Sequence, residues 1–189
     1  MTSRGSVEGD ATLRLFLALR LPDDALDALE RWGREELSGG RVVPREALHV
    51  TLAFLGRRPA SELDAIVEAL GAAARGVHRF PLAARSWRET RSVGMVVLDD
   101  PSGRAGALAA GLHARLQALG VYEPERRAWL PHVTVLRFRE RPRLSPRLPA
   151  MGTFVPSDAA AYLSRLHPTG AEYEVLARVP LEPEEARRT

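Results

Sequence analysis

The sequence predicts an α+β fold built on antiparallel or mixed sheets. Three observations carry that expectation. Candidate elements run strand, helix, strand, helix, strand pair, helix, strand, strand pair, and paired strands that form hairpins belong to antiparallel sheets. No glycine-rich dinucleotide fingerprint or P-loop marks the chain as doubly wound. The length of 189 residues, with 45% hydrophobic and 27% charged side chains, suits one domain or two small lobes sharing a core, and excludes a disordered chain.

Met1 to Thr12 has no period and reads as a loose tail. Leu13–Leu21 is an apolar strand ended by Pro22. Asp23 is the expected N-cap of a helix carrying Ala25, Leu26, Leu29 and Trp32 at helical spacing. After a break at Leu37–Arg41, Arg41–Val43 is a short strand stopped by Pro44, and His49–Leu55 is a compact strand closed by Gly56. Ser61 is the expected cap of a second helix with Leu63, Ile66, Val67 and Leu70 on one face. Phe80–Trp87 and Val93–Leu98 are strands. Gly103–Leu119 is a third helix, with Leu108, Leu112, Leu116 and Leu119 on one face, stopped by Gly120. His132–Phe138 is a strand, Arg139–Gly152 an Arg- and Pro-rich mobile loop, Phe154–Leu166 and Tyr173–Leu181 the closing strands, and the remainder a charged tail.

Composition narrows the function. Cysteine is absent, which removes disulfides, thiolate nucleophiles and cysteine-based metal sites. No apolar run reaches the ~20 residues of a membrane span, and the polar N-terminus lacks a secretory signal, so a cytoplasmic protein with no membrane partner is expected. All 27 basic residues are arginine, whose planar fork suits phosphate. An Ala-, Arg- and Gly-rich composition also follows from GC-rich coding, and a net charge of +3 permits a nucleic-acid partner without demanding one.

One pattern occurs twice: His49-Val50-Thr51-Leu52 and His132-Val133-Thr134-Val135. Each opens a predicted strand. With a period of two, His49 and Thr51 share one face, as do His132 and Thr134, while the valines and leucine turn to the other. Two such strands side by side bring two imidazoles and two hydroxyls to one cleft, a set suited to phosphodiester hydrolysis. A neutral imidazole takes a proton from water, a charged one gives a proton to the leaving oxygen, and the hydroxyls hold the phosphate oxygens. A lone His-Val-Thr is ordinarily only a strand, but two copies among five histidines point to a site. A two-histidine metal site would want a third ligand, which neither copy supplies at helical spacing; no metal and no cofactor are expected. The symmetry of the copies leaves open which histidine is the acid. His78, His113 and His167 carry no pattern and read as structural or surface residues, and Arg139, Arg141, Arg143 and Arg147 form either a solvated loop or a track for an RNA backbone.

The twin motifs resemble the two-histidine phosphoesterase superfamily, and within it the LigT-like RNA 2′,3′-cyclic phosphodiesterases, also called 2′-5′ RNA ligases. The resemblance runs from Leu13 to about Leu181. It rests on Arg14-Leu15-Phe16-Leu17-Ala18, on Leu48–Gly56, on Trp129–Arg137 and on Tyr173-Glu174-Val175-Leu176. It implies a bilobal α+β fold, with two antiparallel sheets related by a pseudo-twofold axis, helices outside and the active cleft between the lobes. The domain would then span 13–182, between tails at 1–12 and 183–189.

The resemblance also implies the chemistry. His49 would be the proton donor and His132 the proton acceptor in the hydrolysis of RNA 2′,3′-cyclic phosphate ends to 2′-phosphates. Thr51 and Thr134 would bind phosphate. In such relatives the fifth residue after each histidine touches the nucleotide, here Phe54 against a base and Arg137 against phosphate. Strict alternation turns both away from the histidines, so only a bend or bulge brings them to the cleft. Trp129 stands where phenylalanine is usual and either stacks on a base or packs. Met95-Val96-Val97 replaces a segment that carries a tryptophan in relatives, which alters the base pocket rather than the chemistry. The expected partner of this monomer is RNA with a cyclic phosphate end. The alternatives are a small cyclic nucleotide, 2′-5′ ligation by the reverse reaction, and a non-catalytic RNA-binding module.

Overall fold

The computed structural model describes residues 11–168 and 170–183. The expected tails therefore lie outside the described residues, save at 11, 12 and 183, and Thr12 already belongs to the first strand. In chain order the elements are β1 (Thr12–Leu19), α1 (Asp23–Glu36), β2 (Arg41–Val42), β3 (Val50–Pro59), α2 (Leu63–Ala74), β4 (Leu82–Glu89), β5 (Val93–Asp99), α3 (Arg104–Ala118), β6 (His132–Arg137), β7 (Thr153–Phe154), β8 (Asp158–His167) and β9 (Gly170–Pro180).

The strands lie in the order β7-β4-β5-β6-β3-β1-β8-β9, with β2 beside β6, and every pairing among them is antiparallel. The path has a seam at its centre. β3 and β6 share one residue pair, Val50 opposite Val133, whereas β1 pairs with β3 and β5 with β6 over many residues. A sheet of β7, β4, β5 and β6, with β2 on the β6 edge, and a four-stranded sheet of β3, β1, β8 and β9 thus meet along the two motif strands, the bilobal α+β arrangement. β1 shows the two faces of its sheet. Leu15, Leu17 and Leu19 are buried in the main core with Ile66 and Leu70 of α2 and Leu108 and Leu112 of α3, while Phe16 and Ala18 join Ala160 and Tyr162 on the opposite face. The helices cover the first face and leave the second to the site.

Several local expectations are corrected. Pro22, not Asp23, is the N-cap of α1: its extended backbone (ψ 159°) lets its carbonyl accept the Leu26 N–H. Asp23 and Asp24 fall in the first turn, where their charge faces the positive end of the helix dipole. Ser61 lies within a 3-10 turn, Ala60–Glu62, and α2 starts after it with Glu62 as its N-cap. Gly56 does not close its strand. It takes a φ of +69° and β3 runs on to Pro59, because glycine tolerates the left-handed backbone beside the bulge at Leu55. The strand expected over Phe154–Leu166 is broken into β7 and β8 around Pro156, which has no N–H to give a ladder.

The stretch 139–152, expected to be mobile, is irregular until β7 but tied down. The Glu89 carboxylate, almost fully buried, accepts from Arg141 Nε and from the backbone N–H groups of Arg143 and Leu144. Trp32 Nε1 donates to the Arg147 carbonyl at 2.6 Å.

Candidate active site

The seam between the sheets carries both motifs. Val50 opposite Val133 is the single pair across the seam, and antiparallel geometry at that pair sets its neighbours His49 facing Thr134 and Thr51 facing His132. Each histidine is anchored in the same way. His49 Nδ1 lies 2.8 Å from the Ala47 carbonyl and His132 Nδ1 lies 2.8 Å from the Leu130 carbonyl, in both cases two residues back. A carbonyl only accepts, so each Nδ1 carries the hydrogen and each neutral ring presents a bare Nε2. The two copies are prepared identically for proton transfer.

A bulge follows each motif at the same place. In β3, Thr51 pairs with Ala18 and Ala53 with Leu17, leaving Leu52 as the extra residue. In β6, Thr134 pairs with Met95 and Leu136 with Gly94, leaving Val135 extra. Two successive side chains then turn into the core: Leu52 and Ala53 in one strand, Val135 and Leu136 in the other. The alternation resumes one step out of phase. Phe54 therefore shares the face of Thr51 and is 49% exposed, and Arg137 shares the face of Thr134. The expectation from strict alternation is overturned at both positions.

Two adjoining cavities flank this seam. The first, about 680 Å³, is lined by His49, Thr51, Phe54 and Arg137, with Phe16 and Tyr173 behind His49. The second, about 270 Å³, is lined by Thr51, Phe54, Trp129 and His132, with Met95 and Tyr122. Thr51 and Phe54 belong to both and stand at the junction. Thr134 lines neither cavity; it is half-buried on the His132 face of β6.

Residues outside the motifs hold the bulge of β3. Trp129 Nε1 donates to the Thr51 carbonyl at 3.0 Å, so Trp129 is a tie across the seam as well as a cavity wall. His113, on α3, places Nε2 2.7 Å from the carbonyl of the extra residue Leu52 and stacks on Tyr122 at 4.7 Å. His113 is thus structural, as its lack of pattern suggested, but no local signal announces its partner, which lies 61 residues away.

The environments of the two catalytic candidates differ. His49 is packed against Phe16 at 4.7 Å and edge-on to Tyr173 at 5.4 Å; among the described residues no ring touches His132. Burial pushes His49 down to about 4 from its ordinary value near 6.5, with smaller contributions from the charges of Arg137 and His132; the hydrogen bond to Ala47 works the other way. The linkage has a definite sign. Between pH 6.5 and 4 the unfolded chain protonates this residue and the folded chain does not, so its contribution to stability is complete above about pH 6.5 and lost as pH falls towards 4. The full effect is on the order of 3 kcal/mol. In urea titrations at pH 7 and pH 4.5, His49→Gln should therefore lose less stability on acidification than the unaltered chain; equal losses would show that His49 is not depressed.

The remaining candidates separate. His167 faces the first cavity's mouth, 3.3 Å from Glu172, whereas His78 is bonded to the Pro183 carbonyl away from it. Of the loop arginines only Arg139 lines the first cavity; Arg141 is paired with Glu89. Among the described residues no group of three or more His, Asp or Glu side chains is gathered in a metal-binding arrangement, and no helix is long and apolar enough to cross a membrane.

Comparison with known proteins agrees with this geometry. A family model described as the 2′-5′ RNA ligase superfamily matches residues 21–169. The chain is 32% identical over 199 residues to an RNA 2′,3′-cyclic phosphodiesterase of Thermus thermophilus, covering 93% of both chains. A crystal structure from the same organism superposes with a TM-score of 0.77 at 28% identity, covering 92% of this chain and all of that one. The crystal structure of Escherichia coli LigT complexed with 3′-AMP superposes with a TM-score of 0.78 over 91% of this chain and 99% of that one, a likeness of fold at 22% identity.

Proposed function

The chain belongs to the 2′-5′ RNA ligase superfamily, and from that premise we propose that it hydrolyses RNA 2′,3′-cyclic phosphate ends to 2′-phosphomonoesters by paired histidine acid–base catalysis. The observation that carries this reading is the matched pair of imidazoles. Both are held through Nδ1 to a backbone carbonyl, and they lie across the seam from each other's threonine.

The arrangement supplies two matched imidazoles, and the resemblance to the LigT-like phosphodiesterases assigns His132 as the base and His49 as the acid. The cyclic phosphate sits at Thr51, with the Thr51 and Thr134 hydroxyls and the Arg137 guanidinium on its non-bridging oxygens. His132 Nε2 accepts a proton from water as the water oxygen bonds to phosphorus. The phosphorus–O3′ bond breaks, and protonated His49 gives its Nε2 hydrogen to O3′. The product keeps phosphate on O2′ and has a free 3′ hydroxyl, and the two histidines exchange protons with solvent to return to their starting states. His49 is mostly neutral at pH 7 in the empty cleft. An anionic phosphate offsets the Arg137 charge that helps depress it and adds a negative neighbour, so substrate raises the population of the acid form. The face of Phe54 supports a base beside the reacting phosphate.

The test is a short RNA ending in a 2′,3′-cyclic phosphate, incubated with the protein in EDTA. The expected result is conversion to a 2′-phosphate, identified by mass and by sensitivity to phosphatase. A 3′-phosphate product would reverse the assigned leaving group. Salt-dependent binding with no turnover would leave an RNA-binding module instead.

A further inference from the structure

We propose that the arginine-lined end of the first cavity binds the phosphate on the 5′ side of the terminal nucleotide, so that the preferred substrate is an RNA strand rather than a cyclic mononucleotide. This rests on the reading of the reaction given above. The cyclic phosphate brings one negative charge, which Arg137 and a protonated His49 already meet. The same cavity also holds Arg14 and Arg139, and among the described residues no Asp or Glu lines it. Neither guanidinium has a carboxylate partner among the described residues, whereas Arg20, Arg45, Arg58 and Arg141 are all paired. Arg141, two residues beyond Arg139, goes to Glu89 instead, so the loop sends one guanidinium to an acid and its neighbour into the cavity.

Arg14 is placed rather than loose. Its guanidinium carbon lies 4.9 Å over the Phe54 ring, and its Nε is buried without a hydrogen-bond partner. A buried donor with no partner costs stability unless a ligand satisfies it. Stacking on Phe54 sets this charge beside the ring that faces the reacting nucleotide. The opposite wall is drawn close by Gly39 and Gly40. A side chain on Gly40 would stand 2.6 Å from the Arg137 carbonyl and one on Gly39 2.7 Å from Pro142. Their absence lets this turn close against both the strand of Arg137 and the loop of Arg139. A strand leaving the reaction centre past Phe54 would carry its next phosphate between Arg14 and Arg139, where charge-assisted hydrogen bonds are available and no carboxylate of the described residues lines the wall.

The experiment compares kcat/KM for three substrates: adenosine 2′,3′-cyclic phosphate, the dinucleotide ApA with a 2′,3′-cyclic phosphate end, and the same dinucleotide with an uncharged methylphosphonate link. The charged dinucleotide should exceed the other two by about tenfold or more. Arg139→Gln, an exposed position, should remove most of that advantage and leave the cyclic mononucleotide unchanged. Equal values for charged and neutral links, or an equal loss on all three substrates in Arg139→Gln, would overturn the proposal. If the cyclic mononucleotide and both dinucleotides resist hydrolysis, the reaction assigned above fails, and the site is tested by binding. Tighter binding of ApA 2′-phosphate than of its methylphosphonate form, lost in Arg139→Gln, would uphold the site; equal binding would overturn it.

Discussion

Replacing His49 or His132 by alanine should lower kcat for cyclic-phosphate hydrolysis by roughly 10²–10⁴-fold in each case, the range expected when a general acid or base is lost. Both rings are held through Nδ1, so each offers Nε2 to the substrate. Asparagine is the sharper substitution. Its amide can still donate to the carbonyl of Ala47 or Leu130, which preserves the anchor, but it has no titratable nitrogen. His49→Asn and His132→Asn should therefore be as inactive as the alanine variants, with unchanged near-ultraviolet circular dichroism. A variant of either kind that keeps a tenth of the rate would remove that histidine from the chemistry.

The second large effect is expected at Thr51. Val50 opposite Val133 places it across the seam from His132, and it lines both cavities. Thr51→Val keeps the β-branched shape and deletes the hydroxyl. It should cost about 10²–10³-fold in kcat, the scale seen when one preorganised oxyanion donor is removed, and Thr51→Ser should restore most of it. A loss confined to KM would mean that Thr51 binds the ground state and transition state equally. Thr134→Val is the companion measurement. Thr134 sits across from His49 but lines neither cavity, so its loss should be the smaller of the two.

Much of the site was legible in the linear order because it rests on local rules. A strand repeats every two residues, so His49 with Thr51 and His132 with Thr134 had to share faces. The apolar spacing of Ile66 and Leu70, and of Leu108, Leu112 and Leu116, announced the buried faces of α2 and α3, whereas Leu119, expected on the same face of α3, lies past its last residue and is exposed. The boundaries that went astray did so for reasons equally local. Asp23 and Ser61 are good caps by type, yet Pro22 already holds the cap geometry in one helix and a 3-10 turn precedes the other.

Where Phe54 and Arg137 point was a different matter. Leu52-Ala53 and Val135-Leu136 are apolar pairs that fit a regular strand as well as a bulged one. The bulge exists only because β1 and β5 pair with their neighbours in a register that leaves one residue over. The same holds for His113 on the Leu52 carbonyl and for Glu89, whose carboxylate gathers the backbone of a loop more than fifty residues away.

By itself the sequence determined the α+β class, the two motif strands and the imidazoles and hydroxyls they carry on one face, since these follow from residue chemistry and a period of two. Only the tertiary structure decided that a bulge after each motif turns Phe54 and Arg137 into the cleft, that Phe16 and Tyr173 pack against His49, and that Arg14 and Arg139 meet in one cavity. Those outcomes depend on strand register and on partners distant in the chain, and a register is a property of two strands together, written in neither one alone.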